Sequence, residues 1–567
     1  MPVNPLLAGR RRAPTWVLTV GGSPACFRRY SFVCELFTGR QASVQTVSSF
    51  FKKVGTPAHH SDFIPMDWTS PLWYAAYILV LIGLAGYGSH RLTIVFLYLK
   101  HSRKHPQPKE LFKELPLVTI QLPVFNEMHV VDRLLASVSA MDYPQDKMQI
   151  QLLDDSTDET VEICRAGIEA LKARGFDAEH IHRNDRTGYK AGALENGTRF
   201  AKGEYLLILD ADFVPNPDLL QKTIHYFSDD QIGMIQTRWG HLNRTFNVLT
   251  RIQAMFLDGH LELEQTARNR SGRFFTFNGT GGIWRKSCIA DAGGWEHDTL
   301  TEDMDLSYRA QLRGWRFIFL NEVETPAELP VDMDGFKSQQ HRWTKGSIQV
   351  CKKVLPAIWR ADIPLFIKME ATAHLTSNFA YLLLIILCFL IYPNQQAQPD
   401  FGKFTYYIIN VPIFFFSSVS VIVFYMVSQK ALRPGSWWKE IPYLPLLLAL
   451  GIGMSISNAK AVLEALFNHE SAFVRTPKYG IGLSKRSDWK KSSYKAMKTL
   501  TPFVELLFGF FFLFVVVDAA MNHRWSSTIL LLPFPVGFFY TSVSSLARMW
   551  PSSSPQSVVE SLNRKSL

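Results

Sequence analysis

Four short segments of this 567-residue chain combine side chains that do chemistry. Asp154-Asp155-Ser156-Thr157-Asp158 follows the apolar run MQIQLL, and Asp210-Ala211-Asp212 follows YLLIL. Further on come Thr301-Glu302-Asp303 and the pentapeptide QQHRW, which supplies Gln339, Arg342 and Trp343. Carboxylates at the exit of a strand can hydrogen-bond a nucleotide's base and ribose. Two of them flanking one small residue can present oxygens to a single hard divalent cation that bridges diphosphate oxygens. Asp303, in the first turn of a helix, can stand near a reacting hydroxyl. A guanidinium offers a diphosphate a bidentate, charge-assisted contact, and an indole offers a sugar ring a flat apolar face. Each segment also has a plainer reading. Thr157 or Asp158 can cap a helix over 159–173, Pro215 and Pro217 can shape a solvated turn after the DAD triplet, and Thr299 with Glu302 has capping-box spacing for a helix running through Tyr308 to Leu312. Two acid clusters ending apolar strands, followed in order by the other two motifs, favour the chemical reading.

The elements that must position these residues alternate between strand and helix. Strand-like runs at 117–122, 148–153, 205–209, 232–236 and 316–320, with helical segments such as Val130–Met141 between them, predict an α/β block with a mostly parallel sheet over 115–365. Ligands on such sheets sit at the carboxyl ends of the strands, where the acids are.

Around that block the chain is apolar. Hydrophobic residues make up 47%, Phe alone contributes 41, and charged residues only 19%, against roughly 25% in an average soluble protein. The run 72–88, continued by 92–99, predicts one membrane helix before the block, within a segment 66–100. Runs at about 372–392, 404–427, 441–457, 502–520 and 525–547 follow it, within 366–548. With the block in the cytosol, the first two of these go out and back, leaving Lys430 and Arg433 inside. The lysine-rich stretch 471–500 belongs inside as well, so 441–457 with its amphipathic continuation 458–466 reads as a re-entrant or interfacial pair, leaving five crossings. Residues 1–65 carry eight Lys or Arg against two acids, on the side where positive charge is disfavoured. They read as a leader or a non-native extension, with Met66 an alternative start; residues 549–567 read as a polar tail. The net charge of +11 is concentrated beside apolar spans, which argues for cytoplasmic flanks and against nucleic acid as a partner. The six cysteines form no CxxC pair, so neither a zinc site nor a disulfide framework is predicted.

The series DDSTD, DAD, TED, QQHRW resembles the D, DxD, TED, QxxRW series of processive family 2 glycosyltransferases, the group of cellulose, hyaluronan and mannan synthases. GYKAGALEN at 188–196 and FNGTGG at 277–282 are similar to further family segments. FVRTPK at 473–478 resembles the family's gating loop, with Arg475 where Val is usual. The resemblance covers about 66–545 and is strongest to cellulose synthase-like A and C proteins and their bacterial relatives. It implies a cytosolic GT-A domain beside a helical transmembrane bundle, in a bacterial inner membrane or a Golgi or plasma membrane. By the same resemblance Asp154 and Asp155 hold the nucleotide, Lys190 the diphosphate, and Asp210 with Asp212 the Mg²⁺ or Mn²⁺. Asp303 is the base, beside Glu302; Phe277, Asn278, Gly279 and Thr280 cradle the acceptor; Gln339, Arg342 and Trp343 form the diphosphate and acceptor-sugar platform; and Thr476 and Lys478, in a gating loop spanning 470–485, close over the donor. The implied partners are a nucleotide sugar, UDP-glucose or GDP-mannose, a growing β-1,4-linked polysaccharide, the lipid bilayer and accessory export proteins. A non-processive polyprenyl-phosphate or lipid sugar transferase is the alternative. If the block is cytosolic, the N-x-T sequons at Asn196, Asn243 and Asn278 go unused.

Overall fold

The computed structural model describes residues 71–397, 411–469, 478, 480 and 499–549. The expectations for 1–65, for Thr476 and for the tail beyond 549 therefore lie outside the described residues. A long apolar helix, α1 (Pro71–His101), opens the described chain and ends on Lys100 and His101. The α/β block follows with β1 (Val118–Val124), α2 (Val131–Ser139), β2 (Met148–Asp154), α3 (Thr160–Ala173), β3 (Asp177–His182), α4 (Tyr189–Phe200), β4 (Tyr205–Ile208), β5 (Ile232–His241), α5 (Val248–Asp258), β6 (Gly282–Arg285), α6 (Glu302–Leu312) and β7 (Arg316–Ala327).

The seven strands form one sheet in the order β3-β2-β1-β4-β6-β5-β7. β6 runs antiparallel to both of its neighbours, and the other pairs are parallel. Alternation along the strands divides the core between two faces. Leu207 and Leu209 of the β4 segment pack with α2 and α3, whereas Leu206 and Ile208 pack with α4 and Trp284. The in-register ends of β1, β2 and β3 bring Val124, Asp154 and His182 side by side. The acids that end β2 and β4 therefore share one edge of the sheet. β3 and β6 carry no strand-like apolar run: β3 reads DAEHIH and lies at the sheet's edge, and β6 is four residues long.

One expected local device is absent. The N-cap of α6 is Thr301, with no side-chain cap bond, so Thr299 and Glu302 make no capping box. Thr301 instead packs against Gly346, where an added Cβ would lie 2.5 Å from its Cγ2. Glu302 is left facing the site.

After the sheet, α7 (Met333–Arg360) carries QQHRW, and α8 (Leu365–Thr376) leads into α9 (Phe379–Ala397). The apolar run expected over 372–392 is broken at Ser377 and Asn378, so its spanning part is shifted to Phe379–Gln396. α10 (Ser420–Leu432) follows a short π-helical stretch at Phe415–Val419; residues 404–410 of the predicted 404–427 run lie outside the described residues. α11 (Leu444–Gly453) and α12 (Ser455–Leu466) form a pair bent by 41°, in keeping with the re-entrant reading. α13 (Thr501–Met521) and α14 (Pro533–Met549) close the described chain. Among the described residues, five helices are long and apolar enough to cross a membrane, six if the bent pair is one span.

Candidate active site

A cavity of about 210 Å³ opens at the C-terminal edge of the sheet. β4 delivers Asp210 and Asp212 to it, α4 delivers Lys190, α6 delivers Glu302 and Asp303, and α7 delivers Gln339, Arg342 and Trp343. Asn278, Gly279, Asp155 and Lys478 complete the predicted residues on its wall. Side chains spread over more than 300 positions of sequence thus meet in one place.

Each acid of the DAD triplet holds an ammonium. Lys190 Nζ lies 2.5 Å from Asp210 Oδ1 and donates to the Gly279 carbonyl at 2.8 Å. Lys478 Nζ lies 2.5 Å from Asp212 Oδ2. The loop is fixed from below, because the Asp210 N–H donates to Thr280 Oγ1 at 2.8 Å. Thr280 itself is fully buried and its carbonyl accepts from Trp239 and Gln236. Phe277 is likewise buried, edge-on to Trp284 with ring centroids 5.6 Å apart. Phe277 and Thr280 therefore support the cavity from beneath, while Asn278 and Gly279 face it.

Asp303 sits in the first turn of α6, its Oδ1 accepting from the Met304 N–H at 2.8 Å. Burial and then the adjacent Glu302 charge push its carboxyl up to about 7, and burial also raises Glu302. Gly279 stands against this carboxyl with φ +81°; a Cβ there would lie 3.0 Å from Asp303 Oδ2. Arg342 is half-buried among acids. Burial lowers its pKa against the opposing charges of Glu302, Asp210 and Asp303.

The two acids ending β2 part company. Asp155 reaches the cavity and is gripped bidentately by Arg183, Nε to Oδ1 at 2.8 Å and Nη2 to Oδ2 at 2.6 Å. Asp154 has no exposed surface and does not line the cavity. Its Oδ1 accepts from the Ser156 N–H at 2.8 Å, and its Oδ2 is 2.9 Å from His180 Nε2 and 3.2 Å from His182 Nδ1. Burial opposes its charge, but the bonds from His180 and Ser156 prevail and hold its carboxyl below the usual range. Asp154 thus ties β3 to the end of β2.

Several wall residues carry no motif of their own. Arg186 lies 3.3 Å above the Phe125 ring, a cation–π contact on the same wall as Asp155. Arg183 and Arg186 precede the GYKAGALEN segment by a few residues, and that basic loop was their one signal. Glu328, on the wall, pairs with Arg133 at 2.7 Å. His241 ends β5 on the wall, its Nε2 3.1 Å from the buried Asp258.

The donor set fits a hard divalent cation: two carboxylates one residue apart, each already holding positive charge. Among the described lining residues, seven carboxylates face four Lys or Arg. Such an excess repels a diphosphate unless further positive charge arrives with it.

A second cavity, of about 1220 Å³, lies among the apolar helices and is lined by α1, α8, α9, α10 and α11. Its wall includes Arg91, Glu264, Arg268, His374 and Tyr381 as well as aliphatic and aromatic residues.

The family described as "Glycosyltransferase like family 2" matches residues 116–346, the part of the chain that builds the catalytic wall. Over 303 residues the chain is 38% identical to "Glucomannan 4-beta-mannosyltransferase 1" of Oryza sativa subsp. japonica, covering 51% of this chain and 58% of that protein. Over 427 residues it is 34% identical to "Glucomannan 4-beta-mannosyltransferase 2" of Arabidopsis thaliana, covering 70% of this chain and 76% of that one. Among solved structures, the mannosyltransferase PcManGT from Pyrobaculum calidifontis in complex with GDP-Man and Mn²⁺ is similar at 18% identity and TM-score 0.48, over 70% of this chain and all of that one. The mostly parallel sheet with acids along its C-terminal edge, joined to membrane-length helices, is the GT-A arrangement beside a helical bundle that the motifs imply. With a relative 34% identical across three quarters of its length, the chain belongs to glycosyltransferase family 2, and it is a hexosyltransferase of that family.

Proposed function

We propose that this membrane enzyme is an inverting, processive β-glycosyltransferase that builds a β-1,4-linked mannan or glucomannan from a nucleotide sugar, with GDP-mannose the principal donor. The observation that carries the reading is the meeting of Asp303, the DAD acids, Arg342 and Trp343 on one wall, with a much larger cavity among the membrane-length helices. Mannose is favoured over glucose by the names of the two plant relatives, both mannosyltransferases.

In this reading Asp155 and the Arg183 that orients it hold the nucleoside, and Lys190 and Arg342 face the diphosphate. Asp210 and Asp212 would hold a divalent cation, which would supply charge neutralisation for the leaving diphosphate. Asp303 takes the proton of an acceptor hydroxyl, whose oxygen attacks the anomeric carbon from the face opposite the diphosphate. The bond to the diphosphate breaks as the new glycosidic bond forms, so an α-linked donor gives a β-linkage with no covalent enzyme intermediate. Trp343 gives the terminal sugar an apolar platform. Lys100 in the last turn of α1, with Arg103 and Lys104 just after it, supports a cytosolic catalytic domain. The test is incubation of membranes with radiolabelled GDP-mannose and, separately, UDP-glucose, followed by linkage analysis. A β-1,4-linked polymer containing mannose supports the reading. Transfer of a single sugar to a lipid refutes processivity and favours a lipid sugar transferase.

A further inference from the structure

A second group of metal-ligating side chains lies one residue away from the catalytic wall. Asp154 ends β2, Cys164 lies on α3 and His180 on β3, and one donor atom from each falls within 4.8 Å of the others. Register explains the meeting. In the parallel β2–β3 pair His182 stands opposite Asp154 and His180 opposite Leu152, and residues two apart on a strand share a face. α3 packs on that face, where Cys164 joins Leu152 and Ala178 in the core. No CxxC spacing announces such a group, because its donors come from three elements.

Thiolate, imidazole and carboxylate together are the donor types of a zinc ion. Asp154 and Cys164 are fully buried, Cys164 as a free thiol, and the His180 side chain keeps 12% of its surface. Asp154 Oδ2 is 2.9 Å from His180 Nε2 and 3.2 Å from His182 Nδ1. A tetrahedral zinc at ordinary bond lengths spaces its donors about 3.3–3.6 Å apart, so each imidazole already stands near that spacing from the carboxylate and the thiol has about 1 Å to close. Burial, and then the charges of Asp154, Asp132, Asp158 and Glu127, push the Cys164 thiol up. A field that holds a proton on sulfur also draws a cation to it.

We infer that Asp154, Cys164 and His180, with His182 as the fourth donor, bind a structural zinc ion that pins β2, α3 and β3 together beside the catalytic wall. Binding releases the thiol proton to solvent. The dication with one thiolate and one carboxylate is then electrically neutral, which suits a buried site. The DAD acids offer oxygen alone and select a hard ion, so the two sites take different metals. The zinc steadies the junction next to it: the Asp154 carbonyl accepts the Arg183 N–H at 2.9 Å, and Arg183 grips Asp155 on the wall. This site does not depend on the donor or the product assigned above.

The test is metal analysis of the full-length enzyme, purified through a tag without histidine, loaded with zinc chloride and desalted into buffer holding excess Mg²⁺. About one zinc per chain is expected in the wild type, falling below about 0.2 in Cys164→Ala and in His180→Gln. X-ray absorption at the zinc edge is expected to show one sulfur at about 2.3 Å with nitrogen and oxygen neighbours at about 2.0 Å. His180→Gln, on an edge strand, decides the matter if Cys164→Ala fails to accumulate. A wild type that holds less than about 0.2 zinc per chain after loading overturns the site. So does zinc retained at the wild-type level in either variant, or a spectrum with no sulfur neighbour, each the mark of a surface ion.

Discussion

The proposed base, Asp303, has a carboxyl raised to about 7 by burial and by Glu302, and a base works only when deprotonated. Activity at saturating donor is therefore expected to fall as pH drops through about 7, an acid limb that a pH–rate profile reads directly. The same shift acts on stability with the opposite sense. A carboxyl whose folded pKa lies above its unfolded value near 4 costs stability progressively as pH rises through that window, and above about 7 the full cost is present. Asp303→Asn is thus expected to abolish polymer formation, keep nucleotide affinity within a few fold, and stabilise the enzyme at pH 8 by on the order of 1 kcal/mol. A melting curve at pH 8 beside one at pH 5, where the gain is smaller, checks the sign. For Trp343 the expected loss is one of retention. Stacking on the order of 1 kcal/mol shortens the product in Trp343→Ala, whereas Lys478→Ala chiefly lowers turnover; product sizing and initial rates separate the two.

The segment before β6 shows how a residue off the wall holds the site in place. Thr280 Oγ1 accepts the Asp210 N–H, so Thr280→Val keeps the shape and removes that acceptor. The expected result is a several-fold weaker response to added Mn²⁺ or Mg²⁺ at unchanged expression, read from activity against metal concentration. Elements of this kind account for what could be seen in the sequence beforehand. The strands β1, β2 and β4 announce themselves as apolar runs, the last two ending in acids, and Asp210, Asp303, Arg342 and Trp343, singled out by the four motifs, share one wall. The polar strand β3 left no such trace, and with it went the grip of Arg183 on Asp155 and of His180 and His182 on Asp154. Two adjacent aspartates look equivalent in a sequence. In a strand they point to opposite faces, and only the sheet decides which one meets the cavity. The capping-box spacing of Thr299 and Glu302 misled for a related reason, since Gly346 draws Thr301 into close packing and leaves Glu302 for the site.

At the scale of the molecule, the catalytic domain is joined to the membrane-length helices by charged pairs. Lys337 of α7 reaches Glu505 of α13 at 2.6 Å, with the Thr541 carbonyl and Ser545 Oγ as further partners. Arg251 of α5 clasps Glu440 through two bonds of 3.0 and 3.1 Å. Removing one member of a buried pair strands the other, at a cost of about 3–5 kcal/mol. Lys337→Met is expected to lower the melting temperature sharply, and Lys337→Met with Glu505→Leu to restore much of it. The cytosolic placement of the domain is open to a simpler check: Asn196, Asn243 and Asn278 should carry no glycan when the chain is made in a eukaryotic secretory membrane, and a glycosidase-sensitive mass shift would reverse the orientation. The large cavity among the helices carries a consequence for how a polymer moves. Its volume of about 1220 Å³ has room for tens of water molecules. A hexose advancing by one unit exchanges some of that water for hydroxyls of the same hydrogen-bonding valence. In the proposed reading, where the chain passes through this cavity, such an exchange leaves successive positions close in free energy, and thermal motion rectified by the next sugar's addition suffices to move the chain outward.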